Sequence, residues 1–428
     1  MTEWLHTAFG TALAAALLLG LCCGTLGAFV VVRRMALTGD MLSHAVLPGI
    51  VAGLVWNTQR DPLVVLAAAL LAGMAGSAVM HAIQRTTRLK PDAALGIVLS
   101  VFFAAGIAMI SIHQPSGVQA YLYGQAAAID QRDLRLLAVV TALTLSVVGL
   151  LFRLLHVTAF DAGFSRLLGY PVQWLDRLFY FLLSASIVVA MQAVGVVLIS
   201  AMLIAPAAAA LKLSHRFGRV VTASCLIGAA SASTGVWISG VRTGLPTGPV
   251  MALSVCVAFA VVSLFAPRDG VLAHAWRHWK MRRRIARENL LKSIFRVMEE
   301  GGFRHDGVTL LELSKRDGRP VTALARGVGR LVAGRDAIWT DDRTGLLLTP
   351  TGRRRAEEIV RNHRLWERYL TDRASYAADH VHEDAERVEH FIGEDEVRRL
   401  EEVLDFPECD PHGRPIPTVG QDGKGGHS

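Results

Sequence analysis

Carboxylate and imidazole side chains recur at helical spacing in two parts of this chain, one apolar and one strongly charged. In the apolar segment MALTGDMLSHAVLPG (35–49), Asp40 and His44 are four residues apart and therefore share one face of a helix. An oxygen and a nitrogen donor on one face can supply part of a site for Mn²⁺, Zn²⁺ or Fe²⁺. The alternative is that Asp40 caps the start of the helix while His44 packs against a polar neighbour. Inside a membrane the pair would mark a transport pathway, because ionisable groups are costly there and usually functional.

The charged part carries a denser set of donors. RNHRLWERYLTDR (361–373) places His363 and Glu367 at i, i+4. VHEDAERVEHFIG (381–393) places four more donors on one helix face, at i, i+4, i+7 and i+8: His382, Glu386, Glu389 and His390. Six metal-capable side chains on two helices predict a metal-binding site rather than a random acidic surface.

The elements that must hold these residues differ between the two halves of the chain. Residues 1–267 contain 15 Lys and Arg and 8 Asp and Glu, whereas residues 268–428 contain 29 and 28. Long runs in the first half lack charge altogether: 178–211, 220–241 and 243–267. A helix crosses a bilayer core with about 20 apolar residues, so the first half is predicted to be an all-α polytopic membrane domain. The first run lacks a positively charged start and is too long for a signal peptide, and we interpret it as a retained helix.

Candidate membrane spans follow one another along the first half, near residues 8–32, 41–57, 62–84, 93–113, 135–156, 177–193, 195–211, 220–241 and 246–266. The sixth and seventh share one apolar run around Gly195, as two short helices or one bent helix, so the count is eight or nine. With nine spans every basic loop falls on one side: 33–34, 85–90, 166–177, 212–219 and 268–287. Basic loops are cytoplasmic. Nine spans are therefore favoured, with the N-terminus outside and the C-terminal region in the cytoplasm.

Several ordered segments resemble the zinc/manganese/iron ABC permease family across nearly all of residues 5–267. They are VVRRMALTGDMLSHAVLPG (31–49), KPDAALGIVLS (90–100), VQAYLYGQ (118–125), MQAVGVVLISAMLIAPAAAAL (191–211) and LPTGPVMALSVCVAFAVVSLFAP (245–267). The resemblance implies a permease of the bacterial inner membrane that pairs with a second permease subunit, identical or not. It also implies a separate ABC ATPase subunit, a periplasmic or lipid-anchored metal-binding protein that delivers the ion, and a translocation path that includes Asp40 and His44. The chain contains no GxxxxGK[ST] pattern, so we expect ATP hydrolysis in the partner and no enzyme activity here.

The segment FDAGFSRLLGYPV (160–172) is short, amphipathic and placed between two spans. It resembles the coupling helix that inserts into the ATPase of such importers. Phe164, Leu167 and Leu168 are then its apolar contacts, and Gly169 ends the helix. The alternative is an ordinary cytoplasmic loop.

The charged half begins with three predicted helices and a hairpin, the order of a winged helix-turn-helix domain. The helices are expected at 288–300, 308–317 and 320–334, and the hairpin in AIWTDDRTGLLLT (337–349). Arg326, Arg330 and Arg335 lie along the third helix or its end, where basic charge suits contact with DNA phosphates. The alternative is a packing or dimerisation domain with a solvated basic face, since two glycines and an alanine weaken the third helix for reading bases.

Residues 285–405, with RPIP at 414–417, resemble the diphtheria-toxin-repressor and manganese-transport-regulator family. The six donors of the charged half fall on ligand positions of that family. Glu386 stands where iron-type members carry cysteine, and a hard carboxylate favours Mn²⁺. The family supplies a further ligand from its first helix, where this chain has the poor ligands Asn289 and Lys292, with Glu288 as the alternative donor.

The predicted organisation has five parts: a permease domain (1–267), a basic cytoplasmic linker (268–287), a winged helix-turn-helix domain (288–352), a helical metal-binding and dimerisation domain (353–406) and a Pro- and Gly-rich tail (407–428) expected to be disordered. The leading hypothesis is the permease of a divalent-metal importer, for Mn²⁺ first and Zn²⁺ or Fe²⁺ next, whose cytoplasmic domain senses the same ion. No organic cofactor is expected. The alternative is a membrane-tethered, metal-responsive DNA-binding regulator. A third possibility, transport of a metal chelate, is less favoured because a small polar pair suits bare ions.

Overall fold

The computed structural model describes residues 8–57, 61–124, 126, 129–196, 198–242, 245–303, 307–341, 344–374, 376 and 393–417. The chain divides into two compact units, Met1–His274 and Ala275–Ser428. The described part of the first unit is helical, and that of the second combines helices with one two-stranded sheet. The expected fold class is confirmed: an all-α polytopic membrane unit and a smaller α+β unit.

The first unit is a bundle of helices joined by short connections. In chain order they are α1 (Ala8–Val32), α2 (Ala36–Ala45), α3 (Leu47–Trp56), α4 (Pro62–Thr86), α5 (Pro91–His113), α6 (Val118–Tyr123), α7 (Gln131–Leu150), α8 (Phe152–Phe160), α9 (Ala162–Leu167), α10 (Val172–Val194), α11 (Ile199–Leu213), α12 (Phe217–Val241) and α13 (Thr247–Phe265).

Eight segments among the described residues are long and apolar enough to cross a membrane: α1, α2 with α3, α4, α5, α7, α10, α12 and α13. The seventh of the nine predicted spans is α11, which has 15 residues and therefore measures about 22 Å, against roughly 30 Å for a bilayer core. Nine spans of full length are thus not found in the described residues. The orientation drawn from the basic loops stays a prediction.

The sixth span begins at Val172 rather than near residue 177. Asp176 lies inside α10 and accepts a hydrogen bond from Arg33 at 2.8 Å, and the Arg33 guanidinium also lies 4.6 Å from the centroid of the Phe179 ring. The charge of Asp176 excludes the first turn of α10 from any charge-free run. Its partner Arg33 is distant in sequence, so the local pattern does not show that the charge is compensated. Gly195, with φ at +94°, ends α10 and separates it from α11, so the shared apolar run forms two helices.

α1 forms the centre of the first unit and packs closely against α12. A Cβ on Gly20 would come within 2.4 Å of the Ala229 backbone, and one on Gly24 within 2.7 Å of the Ser224 carbonyl oxygen. The Ser224 hydroxyl donates to the Gly24 carbonyl at 2.7 Å. Small residues allow membrane helices to approach in this way. The apolar run of α1 is therefore an interior helix of the permease.

The second unit contains α14 (Val271–Glu300, which begins in the first unit), α15 (Leu310–Asp317), α16 (Val321–Ala333), β1 (Ala337–Trp339), β2 (Leu346–Leu348), α17 (Pro350–Asp372) and α18 (Glu394–Val403). The strands are antiparallel, with Ala337 opposite Leu348 and Trp339 opposite Leu346. Apolar side chains of α14, α15, α16, α17 and both strands share one core. Three helices followed by a hairpin agree with the predicted winged helix-turn-helix order.

The first helix of this domain begins much earlier than predicted. α14 starts at Val271 rather than at 288, so residues 271–287 of the predicted linker are helical. Residues 271–300 contain neither Gly nor Pro, while Gly270 precedes them and Gly301 follows. The two predicted helix ends hold: α14 ends at Glu300, directly before Gly301 and Gly302. α15 ends at Asp317, followed by Gly318 in the left-handed region with φ at +66°.

Part of the predicted disordered tail is folded. In residues 407–417, the Ile416 amide donates to the Glu408 carbonyl at 2.8 Å and the Asp410 amide to the Arg414 carbonyl at 2.9 Å. Arg364 of α17 donates to the Pro415 carbonyl at 2.5 Å. The expectation of disorder was wrong for 407–417, because these backbone bonds and a buried arginine fix a Pro- and Gly-rich turn that composition alone marks as unstructured.

Candidate metal sites and coupling surface

The first candidate site lies on α2, in the interior of the permease unit. His44 Nε2 is 3.8 Å from Asp40 Oδ1, and the two side chains are 14% and 36% exposed. The His44 ring packs edge-on against Phe103, with centroids 4.7 Å apart. Within the described residues its buried Nδ1 has no hydrogen-bond partner. The pair therefore offers one oxygen and one nitrogen donor, and both side chains are partly exposed.

Asp40 does not cap this helix. The N-cap of α2 is Met35, and Asp40 is the fifth residue of the helix. The alternative interpretation of Asp40 as a helix cap was therefore wrong. α2 ends at Ala45 and α3 begins at Leu47, so the span breaks immediately after His44. A break beside polar side chains is the kind of irregularity that membrane proteins tolerate where helices are enclosed by protein.

Asp133 of the permease was not singled out from the sequence. Asp133 of α7 accepts a hydrogen bond from Gln192 of α10 at 2.6 Å. This hydrogen bond joins two helices of the membrane unit. Asp133 was missed because the fifth span was expected to begin at 135, whereas α7 begins at Gln131. The sequence signal for Asp133 was its position as an acidic residue directly in front of an apolar run.

The predicted coupling segment forms α9, a helix of six residues. Asp161 caps it and accepts from the Phe164 amide at 2.8 Å. Gly169, with φ at +77°, follows its end. The side chains of Phe164, Leu167 and Leu168 are 53%, 87% and 48% exposed. Three exposed apolar side chains on one short turn make a surface that suits a protein partner.

The second candidate site lies on α17. His363 Nε2 is 3.1 Å from Glu367 Oε1, and both side chains are buried. The structure therefore brings together the first two donors predicted in the charged half. The other four, His382, Glu386, Glu389 and His390, lie outside the described residues.

The folded tail brings two further donors to this site. Ligand atoms of Glu367, Asp410 and His412 all lie within 4.8 Å of one another. Asp410 Oδ1 accepts from the amides of His412 at 2.9 Å and Arg414 at 2.8 Å, so a tight turn orients the carboxylate. Sequence reasoning missed both donors because only RPIP was noted in the tail. The signal was an Asp-Pro-His-Gly turn (410–413) directly in front of it.

A buried arginine holds the turn against α17. Arg364 is 1% exposed and donates to Glu299 of α14 at 2.6 and 3.0 Å. Its Nε also lies 3.7 Å from Asp410 Oδ2. A buried guanidinium with paired carboxylates is tolerated because its charge is compensated. Arg364 therefore ties together α14, α17 and the metal-donor turn.

The donor set of the second site fits a divalent transition metal. Two imidazoles and two carboxylates are N₂O₂ ligands, which suit Mn²⁺, Fe²⁺ or Zn²⁺. Two enclosed carboxylates also favour a bound cation, because burial makes their charge costly without one. His363, Glu367, Asp410 and His412 are the residues that would hold it.

The first helix, α14, carries the three positions considered for an additional ligand. Asn289 Oδ1 is buried and, among the described residues, has no hydrogen-bond partner. Lys292 is 3% exposed. Glu288 Oε1 accepts a hydrogen bond from Arg284 at 2.6 Å. The alternative donor Glu288 is thus engaged on its own helix.

The three arginines proposed for DNA contact do not all share one face. Arg326 and Arg330 are exposed on α16, opposite the buried residues Leu324, Val328 and Leu331. Arg335 follows the helix with φ at +57°, in the connection to β1. Two arginines on the open side of α16 therefore remain as a basic face.

Comparison with known proteins separates the same two parts of the chain. Residues 6–266 match the ABC 3 transport family, and residues 349–418 match the metal binding and dimerisation domain of iron dependent repressors. The chain is 35% identical over 305 residues to the manganese transport system membrane protein MntC of Bacillus subtilis (strain 168), covering 70% of this chain and 68% of that protein. It is 37% identical over 277 residues to the zinc transport system membrane protein TroC of Treponema pallidum (strain Nichols), covering 63% and 91%.

A solved structure shares the fold of the first unit. PsaBC from Streptococcus pneumoniae, in complex with Fab, matches with a TM-score of 0.57 and 30% identity, covering 63% of this chain and 96% of that chain. The repressor match begins at Thr349, in front of α17, and extends through the donor turn to residue 418. The two candidate metal sites thus fall in two different matched regions.

Proposed function

The chain belongs to the ABC 3 transport family, and we propose that it is the permease subunit of an importer for divalent metal ions, with Mn²⁺ favoured and Zn²⁺ or Fe²⁺ as the other candidates. The observation that carries this proposal is the Asp40–His44 pair, which lies on an interrupted helix inside the region matched by the family. Relatives named for manganese and zinc transport support this substrate class.

The geometry of the pair suits an ion in transit. Asp40 and His44 offer one oxygen and one nitrogen donor, so the ion keeps other ligands from water or neighbouring groups. A site with few protein donors holds an ion weakly and releases it when the helices rearrange. Alternating access then needs an external energy source, which we assign to a separate ABC ATPase.

Metal uptake tests the transport proposal directly. Cells that express the chain with the ATPase and binding protein of its own operon should accumulate ⁵⁴Mn²⁺, and unlabelled Zn²⁺ and Fe²⁺ should compete in the order of their affinity. If the cells accumulate none of the three ions above the level of cells lacking the permease, the proposal fails.

We assign the ATPase contact to Phe164, Leu167 and Leu168, whose exposure favours a protein partner. Replacing Leu167 and Leu168 by Glu should abolish uptake, because two carboxylates cannot enter an apolar pocket of the partner. Leu311→Glu makes the same change at an exposed leucine of the second unit, 60% exposed, and should leave uptake unchanged. Equal uptake by the double variant and the native chain would assign α9 to an ordinary loop.

The second unit is the proposed sensor of the same ion. Three of the four donors, His363, Glu367 and Asp410, are buried, and His412 is exposed. We infer that metal bound by these four residues reduces transport when the ion is plentiful. In proteoliposomes, rising metal on the side of the second unit should slow uptake by the native chain. Glu367→Gln should remove that response, whereas Glu402→Gln, a change at an exposed glutamate of α18, should keep it. A native chain that is insensitive to this metal would contradict the sensor.

The open basic face of α16 favours a second candidate function, that of a membrane-tethered, metal-responsive DNA-binding regulator. The full chain in nanodiscs should then bind a duplex from the promoter of its own operon, more tightly with metal and less tightly at higher salt. Arg326→Gln with Arg330→Gln should weaken binding, while Arg398→Gln should not. Absence of any metal-stimulated binding would leave transport as the function.

The remaining partners follow from the permease assignment. The chain is a multi-pass membrane protein, and we place it in the bacterial inner membrane with the second unit in the cytoplasm. We expect a second permease subunit, identical or related, and a periplasmic or lipid-anchored metal-binding protein. Protease added to sealed inside-out vesicles should cleave residues of the second unit, and protection of that unit would reverse the orientation.

A further inference from the structure

The first 17 residues of α14 (271–287) have an unusual composition. They contain six Lys and Arg, two His, two Trp and no Asp or Glu. The Trp276 and Trp279 side chains are 64% and 45% exposed, and Val271 and Leu272 are also exposed. Neither the permease nor the sensor role uses this stretch.

The two tryptophans form a single strip along the helix. Their ring centroids lie 5.3 Å apart with a 32° tilt. The Arg283 guanidinium stacks on the Trp279 ring at 3.5 Å from its centroid. Leu272, Trp276, Trp279 and Arg283 follow one another at spacings of three or four residues, which keeps them on one side of a helix. The helix therefore presents an aromatic strip bordered by basic side chains.

The basic side chains of this stretch differ in their ion pairs. Arg284 pairs with Glu288, and Arg287 pairs with Asp336. In the part of the chain that the structure describes, no ion pair is formed by Lys280, Arg282 or Arg283. These three side chains are available to an external anion.

The position of the strip along the chain indicates what covers it. α13, a candidate membrane span, ends at Phe265, and α14 begins six residues later at Val271. At 1.5 Å per residue, Trp276 and Trp279 lie only about 7 and 12 Å from the start of α14. The headgroup layer is roughly 5–8 Å deep on each side of the bilayer core. Tryptophan and basic residues in this position are typical of helices at a membrane surface.

We propose that residues 271–287 form an interfacial helix that binds the anionic lipid headgroups of the membrane surface at which α13 ends. Trp276 and Trp279 lie at headgroup depth, and Lys280, Arg282 and Arg283 contact lipid phosphates. Lipid is favoured over nucleic acid because the basic residues border exposed tryptophans and follow a span directly. Each basic side chain near an anionic surface strengthens such binding roughly fivefold.

Tryptophan quenching in nanodiscs tests the proposal with the full chain. Discs contain lipids with brominated acyl chains, either all phosphatidylcholine or a mixture with phosphatidylglycerol. The contribution of Trp276 and Trp279 is the tryptophan emission of the native chain minus that of the Trp276→Phe, Trp279→Phe variant. We expect this signal to be quenched at least twofold more in the anionic discs, and the excess to vanish in a Lys280→Gln, Arg282→Gln, Arg283→Gln variant.

A matched variant controls for net charge. Arg319→Gln, Arg398→Gln and Arg399→Gln remove the same charge from exposed positions of the second unit and should retain the excess quenching. Equal quenching in both kinds of disc overturns the proposal. So does a change of the same emission on adding duplex DNA to phosphatidylcholine discs, since the stretch would then be a nucleic-acid surface.

Discussion

Two histidine–carboxylate pairs in this chain have the same spacing and different surroundings. Asp40 and His44 on α2 lie 3.8 Å apart, and their side chains are 36% and 14% exposed. His363 and Glu367 on α17 lie 3.1 Å apart, with 0% and 4% exposed. The α17 pair gains two more donors from the tail turn, while the α2 pair stands at the end of a short helix.

The difference corresponds to two ways of using a metal ion. A transport site must release its cargo, so few donors and partial exposure suit it. A sensor must report occupancy, and electrostatic attraction in an enclosed site of low dielectric is stronger than in water. The i, i+4 pattern predicts that metal can bind in both places. Burial and additional donors decide whether the ion is passed on or retained.

The largest expected effect concerns Arg364, the buried arginine beside the α17 site. Arg364→Ala removes the counter-charge of Glu299 and Asp410 and should cost about 3–5 kcal/mol in the local stability of the second unit. Hydrogen exchange of the full chain should show faster exchange in α17 and in residues 407–417, with α2 unchanged.

Arg361 provides a matched control on the same helix. It pairs with Glu401, but its side chain is 23% exposed against 1% for Arg364, so Arg361→Ala should cost less than Arg364→Ala. Equal losses from the two variants would mean that the burial of Arg364 contributes nothing.

The next effect concerns the α2 pair. Asp40→Asn with His44→Ala should lower ⁵⁴Mn²⁺ uptake by at least roughly 100-fold at limiting metal, because the double change removes two candidate ligands. Loss of a residue that only hydrogen-bonds to a metal ligand already lowers metal affinity or activity about 10–100-fold. His81→Ala is the control, since His81 hydrogen-bonds to the carbonyl of Ser77 on its own helix and packs on Tyr180. Uptake that falls equally in both variants would show a general packing defect.

The third effect concerns the tail donors. In a chain that already carries Asp40→Asn and His44→Ala, His412→Ala should weaken Mn²⁺ binding by about tenfold or more. Electron paramagnetic resonance of free Mn²⁺ in a titration measures this directly. Asp395→Asn on α18 changes an exposed carboxylate and should bind like the parent. Unchanged affinity after His412→Ala would remove the tail from the site.

The smallest effect should leave both sites intact. Thr309 and Glu312 form a capping box at the start of α15, and hydrogen bonds from Thr309 lower the pKa of the Glu312 carboxyl. A lowered pKa adds stability at neutral pH that is lost as the pH falls through the lowered value. Thr309→Ala should cost about 1 kcal/mol and flatten this acid dependence in thermal melts, with metal affinity unchanged. A change in affinity would show that the site depends on α15.

Much of the fold was predictable because it depends on local pattern. Charge-free runs located the long apolar helices to within a few residues, and the predicted helix ends at 300 and 317 coincide with the ends of α14 and α15. The two errors have different causes, a distant partner for α10 and the local sequence for α14. α10 starts early because Arg33 compensates Asp176, and α14 extends back to Val271 because nothing in 271–287 breaks a helix.

The sites were predictable where donors share a helix. Asp40 with His44, and His363 with Glu367, are visible from spacing alone. Asp410 and His412 lie more than 40 residues from Glu367 and reach it only because Arg364 fixes the tail turn. Pro and Gly in residues 407–417 indicate disorder by composition, and only the tertiary contacts reverse that expectation.

The location of the donor turn also has a genetic consequence. A stop codon anywhere in 404–409 would delete Asp410 and His412 and leave every membrane helix and the winged-helix core encoded. Alleles of this kind should behave as gain-of-function mutations, with uptake that continues under metal excess. Such alleles should be neutral under metal starvation, where the sensor site is empty in the native chain as well, and a selection for survival in toxic manganese should eliminate them.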